Sequence, residues 1–209
     1  PKGVQLRHRQ LIVNVEQREA RLPTQADQER VLCVMPLFHV FALSMCLYLA
    51  VRARSELIIL PRWNADAVID ALSTHRITVF PAGPSIFTGL LQSPRFAQAD
   101  LSALRMCCSG SAALPGEVLR RWHEVTGTFI YEGYGQTEAG PVLTYAGPGL
   151  AQRVGCEGTP LADTCIEIVD LKDRHRVLAC GDRGEIRARG PQIMDGFLDR
   201  PEETAQALV

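Results

Sequence analysis

Short β-rich runs alternate with helical stretches along most of the chain, and that alternation constrains the fold more than any other feature. Arg30 to Met35, Glu56 to Leu60, Ile77 to Phe80, Leu104 to Cys108 and Phe129 to Glu132 read as strands, the second of them buried. Between them lie an apolar helix over 39–53, a helix capped by Asn64 that runs to about His75, and helices over about 85–92 and 115–126. Pro115 sits just inside the last of these, and Pro81-Ala82-Gly83-Pro84 reads as a loop. Residues 7–20 carry Leu11, Ile12 and Val15 among polar neighbours, the pattern of a surface helix. Strands separated by helices imply βαβ units, so the expected class is α/β: a mostly parallel sheet with flanking helices.

After about residue 150 the pattern changes. Thr164 to Val169 and Gly184 to Arg189 alternate as half-buried strands do, joined by a charged turn over Asp170 to Arg176, with no further helix until about residue 201. The expected organisation is an α/β core over 1–150 and a small antiparallel, barrel-like piece over 151–209. Both ends look cut, one inside a loop and the other inside a helical pattern without a cap. A net charge of −1 leaves no nucleic-acid footprint. Seven cysteines without a CxxC pair suggest a reduced, cytoplasmic protein, with Cys107 and Cys108 as buried strand residues. The longest apolar run, Val40 to Val51, is too short to span a bilayer.

The chemistry gathers in loops that follow strands. Tyr131-Glu132-Gly133-Tyr134-Gly135-Gln136-Thr137-Glu138 combines two glycines that permit close backbone approach, a flat aromatic face, a hydroxyl and a carboxylate suited to a hard cation. On composition alone a polar turn at a strand end is the plainer reading. Pro36-Leu37-Phe38-His39 places an imidazole where a helix starts; a lone His there is more often a satisfied core residue. Ser109-Gly110-Ser111-Ala112-Ala113 would let a planar ligand lie against backbone, or forms a tight turn. Ser109 lacks the G-x-S-x-G context of a hydrolase, and no His/Cys spacing matches a zinc site. His8, His75, His123 and His175 read as surface residues.

Taken in order, PKG (1–3), PLFH (36–39), SGSAAL (109–114), YGQTE (134–138) and GEIRARGPQIMDGF (184–197) resemble the adenylate-forming superfamily. Within it they look most like bacterial long-chain fatty-acyl-CoA ligases, which join a fatty carboxylate to ATP and then pass the acyl group to coenzyme A. The resemblance implies ATP/AMP, Mg2+ and coenzyme A as ligands and a fatty acid as substrate, with no nucleic acid. Tyr134 would stack on adenine opposite Ser111, Ala112 and Ala113, bordered by Glu132 and Gly133. Gln136 belongs to the same nucleotide-binding turn, Thr137 would bond the phosphate that becomes AMP, and Glu138 would bind Mg2+. His39 would sit beside the carboxylate, Gly135 would border the acyl tunnel, and Lys2 would close the phosphate loop. Ala113 stands where the family commonly has proline. The body of the phosphate loop, the Thr-Gly-Asp block and the mobile C-terminal domain with its catalytic lysine fall outside residues 1–209, which alone are expected not to adenylate. Peripheral contact with the inner membrane is compatible with a bilayer-partitioning substrate. An aryl-CoA ligase, an acyl-AMP ligase or a non-catalytic binding module are the alternatives.

Overall fold

A computed structural model describes residues 2–148 and 153–208 and bears out the alternation. Strand β1 (Val4–Gln5) and helix α1 (His8–Arg21) lead into β2 (Arg30–Cys33). A three-part helix follows: α2 (Val40–Ala42), a π-helical stretch (Leu43–Tyr48) and α3 (Leu49–Arg52). Then come β3 (Glu56–Ile59), α4 (Ala65–Thr74), β4 (Val79–Ala82), α5 (Pro84–Gln92), β5 (Met106–Ser109), α6 (Gly116–Thr126) and β6 (Ile130–Gly135). The remainder is β7 (Val142–Tyr145), β8 (Thr159–Pro160), β9 (Cys165–Val169), β10 (Glu185–Arg189), β11 (Gly196–Phe197) and α7 (Pro201–Ala207).

Seven strands form one sheet in the order β3-β2-β4-β5-β6-β7-β8. The first five run parallel, and β7 and β8 are added antiparallel. The parallel strands are apolar on both sides because helices cover both. Leu32, Phe80 and Cys107 face α4, α5 and α6, where Trp122 packs edge-on to Phe87 at 4.8 Å. Their neighbours Val31, Val79 and Cys108 face Phe41, Met45 and Leu49 of the three-part helix. Outside this sheet β9 and β10 pair antiparallel, and β1 pairs with β11, tying the two ends of the described chain together. The expected boundary near residue 150 lies outside the described residues. No described helix is long and apolar enough to cross a membrane.

Several sequence expectations need correction. Helix α1 does not float on the surface by its apolar stripe: Ile12 is exposed, whereas Gln10, Asn14, Val15, Gln17 and Arg18 are buried. Gln10, Asn14 and Gln17 are buried because each meets backbone or side-chain partners, as set out below, and Arg18 pairs with Glu19 at 2.6 Å and donates to the Leu22 carbonyl at 3.3 Å. Strand β3 is a half-exposed edge strand rather than a buried one, with β2 on one side only. Pro81 belongs to β4 and pairs with Cys108 instead of starting a loop. A proline fits there because β2 meets β4 only at Val31 and Val79, so no ladder N–H is missing at Pro81. Pro115 is the residue before α6, not its first. Strand β6 runs on to Gly135, carrying Tyr131 to Gly135 of the Tyr131–Glu138 stretch into the sheet. Asn64 caps α4 as expected, its Oδ1 accepting the Ala67 N–H at 2.9 Å.

Candidate active site

Three of the loops singled out by sequence converge where parallel strands end, the position at which open α/β sheets place ligands. They surround a cavity of about 290 Å³ lined by His39, Phe41, Gly110, Ser111, the run Gly133 to Glu138, Pro141, Val142 and Tyr145. His39 is exposed rather than a satisfied core residue. It caps α2, with Nδ1 accepting the Phe41 N–H at 3.2 Å. In the neutral ring the proton is therefore on Nε2.

The glycines of the long motif are fixed by the antiparallel addition of β7. A Cβ on Gly133 would lie 2.3 Å from the Tyr145 ring, and one on Gly135 would lie 2.0 Å from the Pro141 carbonyl oxygen. The ladder slips between Tyr134 and Gly135, which turns the chain out of the sheet. Tyr134 is held by its N–H to Thr144 Oγ1 at 3.3 Å, and that hydroxyl donates to the Glu157 carbonyl at 2.7 Å. Thr137–Ala139 forms a 3₁₀ turn, and the Glu138 carbonyl accepts the Met194 N–H at 2.8 Å. Tyr134, Gln136 and Glu138 also line a larger cavity of about 690 Å³ that opens toward β9 and β10. Among the described residues no three His, Cys, Asp or Glu side chains converge as a metal cage. One carboxylate in a cavity still suits Mg2+, which takes one or two protein carboxylates and completes its shell with phosphate oxygens and water.

Glu132 supports the adjacent loop from below. Its Oε2 accepts the Leu114 N–H at 3.1 Å, closing the 109–114 loop in which Ser111 adopts a left-handed φ of 71°. Burial holds the Glu132 carboxyl above the usual carboxylate range; the Leu114 bond opposes this and the charge of Glu157 adds to it. With the folded pKa raised, the folded protein keeps a proton that the unfolded chain has lost. Stability therefore falls as pH climbs from the unfolded carboxylate value through the folded one. Glu132→Gln is expected to melt higher than the wild type at neutral pH and to converge with it in acid. Parallel melting curves at every pH would contradict this.

Other expected site residues stand apart from the smaller cavity. Ala112 and Ala113 are exposed on the loop beside Ser111. The ammonium of Lys2 lies 4.6 Å over the ring of Phe197, itself a wall of the larger cavity. Pro1 lies outside the described residues.

Sequence reasoning missed an amide stripe on α1 that holds the site from behind. Asn14 clamps Val142, its Oδ1 accepting the N–H at 3.0 Å and its Nδ2 donating to the carbonyl at 2.7 Å. Gln10 Nε2 donates to the Ile193 carbonyl at 2.6 Å, next to the Met194 N–H that holds Glu138. Gln17 bonds the Ala162 carbonyl at 2.5 Å, and Gln192 joins through Thr164 Oγ1 at 2.8 Å. Residues 10, 14 and 17 fall on one helix face, so the signal was a polar stripe at helical spacing. Tyr145, a buried wall of the cavity, carried no sequence signal of its own.

A doubly covered parallel sheet with glycine-rich, hydroxyl-bearing and acidic loops at its carboxyl ends is the frame of a nucleotide-binding enzyme. The family model described as AMP-binding enzyme matches residues 1–198, and the chain belongs to that family. It is 37% identical to a long-chain-fatty-acid–CoA ligase of Bacillus subtilis (strain 168), covering all of this chain and 37% of the relative. It is 34% identical to 4-coumarate–CoA ligase 3 of Oryza sativa subsp. japonica, covering all of this chain and 39% of that protein. Among solved structures, ATP-bound MatB from Rhodopseudomonas palustris superposes with a TM-score of 0.90 at 29% identity, over 98% of this chain and 40% of that one. The chain thus spans about two-fifths of the length of these relatives.

Proposed function

We propose that this chain is the nucleotide- and acid-binding core of an ATP-dependent acid–thiol ligase. The carboxylate of the acid attacks the α-phosphorus of ATP, pyrophosphate leaves, and the resulting acyl-AMP surrenders its acyl group to the thiol of coenzyme A. The observation that carries this reading is the convergence of Ser111, Tyr134, Thr137 and Glu138 with His39 on one cavity at the strand ends. In it, Tyr134 and the 109–114 loop flank the adenine, with Glu132 and Gly133 at its edge. Thr137 donates a hydrogen bond to the phosphate retained in AMP. Glu138 holds Mg2+, which neutralises charge as pyrophosphate departs. Lys2 reaches the phosphates from the β1–β11 side. The α/β part (1–150) supplies this site, and the β-rich part (151–209) borders it. A cytoplasmic setting belongs to the same reading.

The first relative favours a fatty acid as substrate. A compact aromatic acid is the second reading, favoured by the 4-coumarate relative. The test is product analysis by mass spectrometry with the protein in its full natural length. Acyl-AMP is expected from acid, ATP and Mg2+, and acyl-CoA once coenzyme A is added. Thioester formation without an acyl-AMP stage would contradict the proposal.

A further inference from the structure

We infer that Tyr145 is the specificity-determining end wall of the acid pocket and restricts the reaction to compact carboxylic acids, aromatic or short-chain, against long straight chains. The inference rests on the proposed function, with the acid at the His39 and Gly135 end of the smaller cavity.

Tyr145 is fully buried, yet its ring forms part of the cavity lining. It pairs with Gly133 across the β6–β7 ladder and lies so close that any side chain at Gly133 would strike the ring. Phe41 closes in from α2, near enough that a Cβ on Gly110 would meet its ring at 3.0 Å. Both residues belong to the lining of the cavity. Cys33, Met45, Cys46 and Cys108 belong to the same apolar cluster as Tyr145, and the charges of Arg18 and Glu132 also act on its hydroxyl. Thiols and a thioether are adaptable packing groups, so a chain passing the tyrosine would meet deformable neighbours. The ring is thus the barrier.

The tyrosine hydroxyl is buried with the Cys108 thiol as its hydrogen-bonding neighbour. A thiol is a weak hydrogen-bond partner, so the ring is held chiefly by packing.

The experiment is acid-dependent ATP–pyrophosphate exchange by the full-length protein with benzoate, hexanoate and palmitate. The wild type is expected to favour benzoate or hexanoate over palmitate by about ten-fold or more in kcat/KM, the scale on which a pocket discriminates by small changes in apolar length. Tyr145→Ala and Tyr145→Leu are expected to move that ratio toward palmitate by about ten-fold, whereas Tyr145→Phe keeps the discrimination because it keeps the ring. A wild type that prefers palmitate overturns the inference even if both shortened variants fail to fold. So does an unchanged ratio in a shortened variant whose circular dichroism and melting are those of a folded protein. Exchange with none of the acids tried overturns the ligase reading itself, and the inference with it.

Discussion

The Glu138→Ala protein is expected to lose acid-dependent ATP–pyrophosphate exchange by about 100- to 1,000-fold, the scale on which removing one electrostatic partner of a reacting group acts. Its melting temperature should barely move. The two halves of that expectation have separate physical grounds. Among the described residues the Glu138 carboxylate makes no hydrogen bond or ion pair, and only its backbone carbonyl is held, by Met194. Deleting the side chain therefore leaves no buried partner stranded, and the 3₁₀ turn remains tied. Glu138 lines both cavities, so the role proposed for its side chain is toward a ligand. Undiminished Mg2+-dependent exchange would remove the cation role assigned to it. A large fall in stability would recast the residue as structural.

The Gly135→Ala substitution is expected to act in the opposite way, on the fold first and on activity as a consequence. A Cβ there would lie 2.0 Å from the Pro141 carbonyl oxygen and 3.0 Å from the Val142 Cα, all backbone atoms with no rotamer to yield. That carbonyl also accepts the Gln136 N–H at 2.9 Å, and Asn14 clamps Val142 on both its backbone groups. The segment cannot retreat without breaking buried hydrogen bonds. A destabilisation of about 3 kcal/mol or more is expected, at or beyond the top of the usual range for overpacking. Urea denaturation measures it directly. A loss below about 1 kcal/mol would mean that β7 moves freely. The tight contact then could not explain why glycine stands at this position.

How far the sequence disclosed these features depended on whether the signal was local. The βαβ order was legible because apolar runs and cap residues act over a few positions, as Asn64 does at α4. The loops bearing His39, Ser111 and Tyr134–Glu138 were legible through ordered motifs, and the structure brings them to one cavity. What escaped was set by distant partners. Pro81 entered a strand because β2 makes no ladder bond beside it, a fact of pairing that residues 79–84 do not contain. Asn14 and Gln17 looked like solvent-facing polar residues, since their partners lie more than a hundred residues away. Tyr145 carried no signal because its role depends on the ring meeting Gly133 across the sheet.

The account stands or falls on partial reversal of its first half-reaction. Labelled pyrophosphate, ATP and Mg2+ are incubated with the full-length protein, with and without a carboxylic acid, and label in ATP is counted. The account predicts label in ATP only when an acid is present, strongly reduced by Glu138→Ala. Exchange that ignores the acid, or none with any aromatic, short-chain or long-chain acid, would contradict it.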